Sequence, residues 1–182
     1  MGIAPGTQTL GPADGTLTVR TGRTGPAAKA GHDLLIEVGS WEATIDAGGD
    51  PDATSMRLTA DSRSLHVVEG TGGIQALGDE DKASIRQSID DDVLKGGTIA
   101  FHSSGVTPRD GGGQLRVDGE LDLLGRSRPI TFVLTLGDDG RLTGGATLSH
   151  SDWDMKPYSI LFGTMKVADE VQVEIDARVP TG

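Results

Sequence analysis

Four histidines, a scatter of serines and two carboxylates flanking a tryptophan are the residues of this chain that could carry chemistry. His66, His102 and His150 fall on three separate expected strands, where with nearby carboxylates they would form a metal site. No His-x-x-x-His or comparable paired spacing supports one. His32, between Gly31 and Asp33, has two readings: a contact to the polar end of a ligand, or a hydrogen bond that orders the start of a strand. Ser103-Ser104 and segment 149–152 lack the Gly-x-Ser-x-Gly elbow that presents a nucleophile. Asp152 and Asp154 flank Trp153, and carboxylates so placed form turns more readily than acid–base pairs. Gly70-Thr71-Gly72-Gly73 is not followed by the Gly-Lys-Ser/Thr of a phosphate loop. The chain has no cysteine, which removes thiolate catalysis, disulfides and sulfur-ligated metals together. No catalytic set, no metal site and no cofactor is therefore expected.

The dominant signal is alternation. Leu115, Val117, Leu121 and Leu123 share one phase, with Arg116, Asp118, Glu120 and Asp122 in the other. Ile130, Phe132, Leu134 and Leu136 repeat it, as do Leu142, Ala146 and Leu148, and then Val171, Val173, Ile175 and Ala177. A period of two puts one set on each face of a sheet, one dry and one wet. Strands are predicted over 16–20, 33–38, 41–46, 55–68, 98–107, 114–124, 128–136, 141–149 and 166–179. The exception is 79–94, where Ile85, Ile89 and Val93 recur every fourth residue. Asp79 or Asp81 is available as N-cap there, and Gly96-Gly97 follows. That helix has a narrow apolar stripe that needs something to lie on. The fold class expected is all-β with one flanking helix, an antiparallel barrel.

Composition bounds the partners. The chain has 182 residues, enough for one domain over 16–180 with a short flexible lead-in at 1–15. A net charge of −11 argues against nucleic-acid backbones and anionic surfaces. With six aromatic residues, base stacking on a sheet face is not expected. No window approaches the apolar length of a membrane span, so stable membrane insertion is not expected. The first residues have neither a basic patch nor an apolar run, and the chain reads as cytoplasmic.

Five segments in order resemble the YceI-like domains of bacteria, in the form common in high-GC actinobacteria. Gly31-His32-Asp33-Leu34-Leu35-Ile36 opens a strand that runs to Gly39-Ser40 and Trp41. Asp61-Ser62-Arg63-Ser64-Leu65 follows, then the helical segment and Ile99-Ala100-Phe101-His102-Ser103-Ser104. The most specific match is Val117 through Ile130, containing Gly119-Glu120-Leu121 and Gly125-Arg126-Ser127-Arg128-Pro129. Trp153, Pro157-Tyr158-Ser159, Phe162-Gly163 and Ala168-Asp169-Glu170-Val171 complete it. Gly97-Thr98 stands where many members have a proline.

The resemblance implies an extended, lipocalin-like barrel that holds a long hydrophobic or amphipathic lipid, such as a polyisoprenoid or isoprenoid quinone. Ile36, Leu58 and Phe101 would enclose such a chain with Val117, Leu121, Phe132, Leu134, Val173 and Ile175. Gly119 and Gly144 in the same phase would leave room. His32 would stand near a head group, and Trp153, Tyr158 and Phe162 would gate the opening or simply pack on the barrel end. An eight-stranded barrel is wide enough either to fill with its own side chains or to hold one ligand. Two other readings stay open. One is a stress-related interaction module with a filled barrel, for which a homodimer through a sheet edge would speak. The other is an enzyme using the barrel as a cup.

Overall fold

The computed structural model describes residues 2–48 and 53–182. The expected alternation forms a single antiparallel system of strands. These are β1 (Gly6–Leu10), β2 (Gly15–Thr24), β3 (His32–Val38), β4 (Trp41–Ala47), β5 (Ser55–Asp61) and β6 (Leu65–Gly72). After the helix come β7 (Thr98–Arg109), β8 (Gln114–Leu123), β9 (Arg126–Leu136), β10 (Arg141–Ser149), the short β11 (Ser159–Ile160) and β12 (Met165–Arg178).

The register shows that the first six segments are three long strands, each bent once. Thr21 faces Leu34 and Thr18 faces Glu37 in β2 and β3; the same two chains continue with Leu10 facing Ala43 and Gly6 facing Ala47 in β1 and β4. On the other side of the β3–β4 chain, His32 to Val38 pair with Gly72 to Leu65, and Trp41 to Asp46 pair with Ala60 to Ser55. With each bent strand taken once, the described residues build a barrel of eight. Neighbours pair from the first bent strand through β5–β7, β7–β8, β8–β9, β9–β10 and β10–β12, and β12 pairs back with β2. The sheet thus curls into a lipocalin-like barrel, as expected.

The lead-in expected over 1–15 contains a strand. Its sequence, Gly6-Thr7-Gln8-Thr9-Leu10, has one apolar residue and no periodicity, so nothing local marks it. It forms because β4 offers an unpaired edge, and Leu10 is buried when it docks there. That end of the barrel is closed by further backbone bonds. Arg178 N–H donates to Asp14 C=O (3.0 Å), Val179 N–H to Gly140 C=O (2.9 Å) and Ala4 N–H to Pro180 C=O (3.0 Å).

At the other end, β6 has no strand on its outer edge among the described residues, and the helix α1 (Asp79–Ser88) lies there instead. Lys82 Nζ donates to Val68 C=O on that edge (3.1 Å), and Arg86 to Arg63 C=O at the bend (3.1 Å). The N-cap lies one residue before Asp79 and three before Asp81, the two expected caps. Gly78 is the N-cap residue, and Asp81 reaches back to accept its N–H (2.9 Å). Asp79, Glu80 and Asp81 in the first turn suit the positive end of the helix dipole. A four-residue spacing drifts by about 40° per step on an α-helix. The wider π turn over Ile89–Leu94 takes up that drift, so Ile85, Ile89 and Val93 all face the barrel.

Gly119 and Gly144 do not leave the room the sequence suggests. A β-carbon on Gly119 would lie 2.6 Å from two Phe101 ring carbons and closer still to the His102 carbonyl oxygen. The Phe101 ring therefore occupies the space that Gly119 vacates, tilted against Phe132 with centroids 5.4 Å apart. At Gly144 the space is likewise taken, by Leu134 and the Val133 carbonyl. Replacing a strand glycine by alanine ordinarily gains roughly half a kcal/mol through the unfolded chain. For Gly119→Ala the overpacking reverses the sign, and a loss of about 1–3 kcal/mol is expected in urea denaturation. A variant as stable as the parent would show that the glycine is not the ring's socket.

Candidate functional site

The inward phases of the strands and the inner face of the helix surround one apolar cavity of about 590 Å³. Leu17, Met56 and Leu142, all buried, bound it toward the closed end. Val19, Leu34 and Ile36 of β2 and β3 form one wall. Ile85, Ile89 and Val93 form the wall beside β6. Of the polar groups that border it, Arg23, His32 and Lys166 stand at the mouth, Asp81, Ser84 and Ser88 follow the helix down toward the bend, and Arg57 lies on β5.

Most of the residues singled out from sequence border this space: Ile36, Leu58, Phe101, Leu121, Phe132, Leu134, Val173 and Ile175, with His32, Trp153 and Tyr158. Two do not. Val117 points inward but is fully enclosed in the core and does not face the open volume. A bulge between Ser103 and Gly105 shifts the phase of the facing β7 strand, so that Val106 rather than an odd-numbered neighbour packs opposite Val117. Phe162 is turned out into solvent, with 109% exposure. The helix wall is missing from the set read from sequence, although its every-fourth-residue stripe is the signal that marks it.

Trp153 is a fixed part of the wall. It is 2% exposed, and its indole N–H donates to Leu121 C=O (3.0 Å). The turn that carries it (His150–Trp153) is tied on both sides. Arg128 Nε donates to Asp152 C=O (2.7 Å), and Arg126 forms an ion pair with Asp154. From β12, Asp169 accepts the Ser151 N–H (2.9 Å) and its hydroxyl (2.6 Å), while its own carbonyl takes His150 Nδ1–H (2.7 Å). Asp154 thus ties the loop through its carboxylate and Asp152 through its main-chain carbonyl.

At the mouth, His32 Nε2 lies 2.6 Å from Gln75 C=O. A carbonyl only accepts, so Nε2 carries the hydrogen, and the ring pins the 73–77 segment while bordering the cavity. Gly72 and Gly73, with φ of 78° and 74°, make this possible. A β-carbon at Gly73 would overlap the His32 ring, and one at Gly72 would overlap the Arg23 guanidinium. Arg23 in turn donates to Gly31 C=O and faces Asp33 at 3.6 Å.

The other histidines stay apart. His66 bonds Ser64 C=O at the bend (3.2 Å), and His102 faces Glu120 on the outer surface (3.6 Å). Among the described residues, no group of three or more His, Asp or Glu could hold a metal ion. Ser103 accepts the Met56 N–H (2.8 Å) where the β5–β7 ladder ends, and Ser104 donates to Asp118 C=O (3.3 Å). Neither of these contacts joins a serine to a base.

The clamp on the Trp153 turn is pH-dependent. The Ser151 hydroxyl, and after it the Ser151 N–H, hold the Asp169 carboxyl below its ordinary value near 3.8, with His150 adding to this and desolvation opposing it. Because the folded value is depressed, the clamp contributes fully above the unfolded value and is lost as pH falls through the folded one. With Trp41→Phe removing the second indole, Trp153 emission should shift to the red below about pH 4. Asp169→Asn should show that shift at neutral pH. Unchanged emission in Asp169→Asn would remove the carboxylate from this role.

Known proteins agree with this geometry. The BcnA crystal structure from Burkholderia cenocepacia superposes with a TM-score of 0.64 at 18% identity, covering 89% of this chain and 94% of that one. The Campylobacter jejuni YceI protein gives 0.55 at 16% identity, with 81% and 84% covered. A mutant of that protein, solved with a monobromobimane guest, gives 0.58 at 14% identity over the same shares. No curated protein matches by sequence. No helix among the described residues is long and apolar enough to cross a membrane. The model of the YceI-like domain matches residues 30–179, from the turn before His32 to the end of the last strand, and the chain belongs to that family.

Proposed function

We propose that this protein binds and sequesters, without catalysis, a long hydrophobic or amphipathic lipid such as a polyisoprenoid or isoprenoid quinone. The observation that carries the reading is the cavity: about 590 Å³, lined mainly by apolar side chains, with Arg23, His32 and Lys166 at the mouth. That volume lies in the range of small-molecule sites, roughly 300–1,000 Å³. It counts against a barrel filled by its own side chains. Each methylene buried there contributes about 0.8 kcal/mol, so a chain-like guest gains affinity along its length without directional contacts. His32 and its neighbours would meet the polar end. Membership of the YceI-like family supports the same ligand class.

Native mass spectrometry of freshly purified protein, followed by organic extraction, is the direct test. A retained apolar chain is the expected result. Ala146 faces the open volume opposite Val173, so Ala146→Trp should fill part of it while leaving the ladder intact. The expected outcome is at least a tenfold loss in retention of added geranylgeraniol, with a melting temperature close to the parent's. Undiminished retention in Ala146→Trp would place the guest outside the barrel.

A further inference from the structure

Of the five large apolar side chains exposed among the described residues, three stand together on the β11–β12 hairpin at the mouth, while Val68 lies on β6 and Ile74 in the 73–77 segment. Phe162 is the most exposed, and Tyr158 and Ile160, each 37% exposed, lie beside it while also bordering the cavity. Phe162 sits at the tip of the hairpin formed by β11 and β12, where Ile160 pairs with Met165 and Ser159 with Lys166. Its backbone has φ 55° and ψ 34°, a left-handed conformation that suits glycine or asparagine and is unfavourable for an aromatic residue. A bulky ring is thus held in a costly conformation and buries nothing against its own fold.

The tip and the loop beside it are locally basic, within a rim that also holds Asp33, paired with Arg23, and Asp81, Asp154 and Asp169. Segment 155–168 has Lys156 and Lys166 and no carboxylate; segment 21–32 has Arg23 and Lys29 and none either. The two segments adjoin: Thr24 pairs with Lys166, and Ala27 N–H donates to Thr164 C=O (2.9 Å). Lys29, Lys156 and Lys166 are exposed, and among the described residues none of the three has an ion-pair partner. The chain's net charge of −11 repels an anionic surface overall. That repulsion is screened beyond a Debye length of about 8–10 Å, so local charge decides which side approaches.

We infer that the β11–β12 tip docks the mouth of the barrel on a bilayer containing anionic lipid, with Phe162 in the head-group region and Lys29, Lys156 and Lys166 against lipid phosphates. An amphipathic edge of this kind binds through buried apolar area plus attraction to anionic head groups. The docking rests on the tip and the adjoining 21–32 loop. Its purpose, passing an apolar chain between bilayer and cavity without exposing it to water, rests on the lipid-binding function proposed above.

Vesicle flotation tests this with the full chain. Vesicles of phosphatidylcholine with phosphatidylglycerol should carry the protein at low salt, and vesicles of phosphatidylcholine alone should carry much less. Phe162→Asn should weaken flotation about tenfold or more, and each of Lys156→Gln and Lys166→Gln about fivefold. Asparagine tolerates the left-handed backbone, so Phe162→Asn should melt no lower than the parent. Equal flotation of parent and Phe162→Asn, or no preference for phosphatidylglycerol, would overturn the inference. So would a dimer that depends on Phe162 without vesicle binding, which would give the tip to a second copy. Retention of geranylgeraniol from solution separates the two proposals. Variants that keep it but do not float retain the cavity function and have lost docking. A parent that floats but never retains it would leave docking standing and remove the lipid-binding reading.

Discussion

The barrel depends on keeping backbone hydrogen bonds satisfied while strands turn a corner. Where the β3–β4 and β5–β6 chains bend, Gly39 N–H donates to Ser64 C=O (3.1 Å) and Asp61 N–H to Ser40 C=O (3.0 Å), so the ladder crosses the bend. Asp61 and Ser64 secure the short turn between them: the carboxylate accepts Arg63 N–H (2.9 Å), and the hydroxyl donates to Asp61 C=O (2.7 Å). An unpaired buried amide or carbonyl would cost about as much as a lost hydrogen bond, and the bend creates several opportunities for one. With those bonds in place, the same two chains can pair with β2 above the bend and β7 below it. The interior follows from that geometry.

The bend also explains why the helix is needed. Above it, β6 parts from β7 and has an open edge, and an uncovered edge of that length invites pairing with another chain. The helix covers it through Lys82 and Arg86 and presents its apolar stripe to the cavity. The Trp153 turn does a similar job between β9 and β12. Its ties are polar and peripheral, while its indole completes the apolar wall. Secondary elements outside the sheet thus close what the strands leave open.

How much of this is legible in the sequence depends on which dimension is asked about. Alternation assigns a side chain to a face, and the inward phase of β8, β9, β10 and β12 is readable because long strands repeat it many times. Position along the barrel axis has no periodic signature. Val117 shares its phase with Leu121 yet lies in solid core, while Leu121 borders the cavity. β1 is invisible because its stability comes from pairing Gly6–Leu10 with β4, an edge far along the chain. The π turn is hidden too, although the strict spacing of Ile85, Ile89 and Val93 is what it accommodates. Phe162 shows the converse: its type suggests burial, and only its exposure in the fold reveals that it faces outward.

One consequence follows from the closed end. Leu17, Met56 and Leu142 form a floor held by main-chain bonds between distant parts of the chain, not by a movable loop. For the lipid proposed above, a blind tube with such a floor would act as a ruler. For a flexible guest that enters tail first, the distance from floor to mouth decides how many units are sheltered and how many protrude. Discrimination among homologous chains would then be written at the base of the barrel, in the size of three side chains remote from any polar contact.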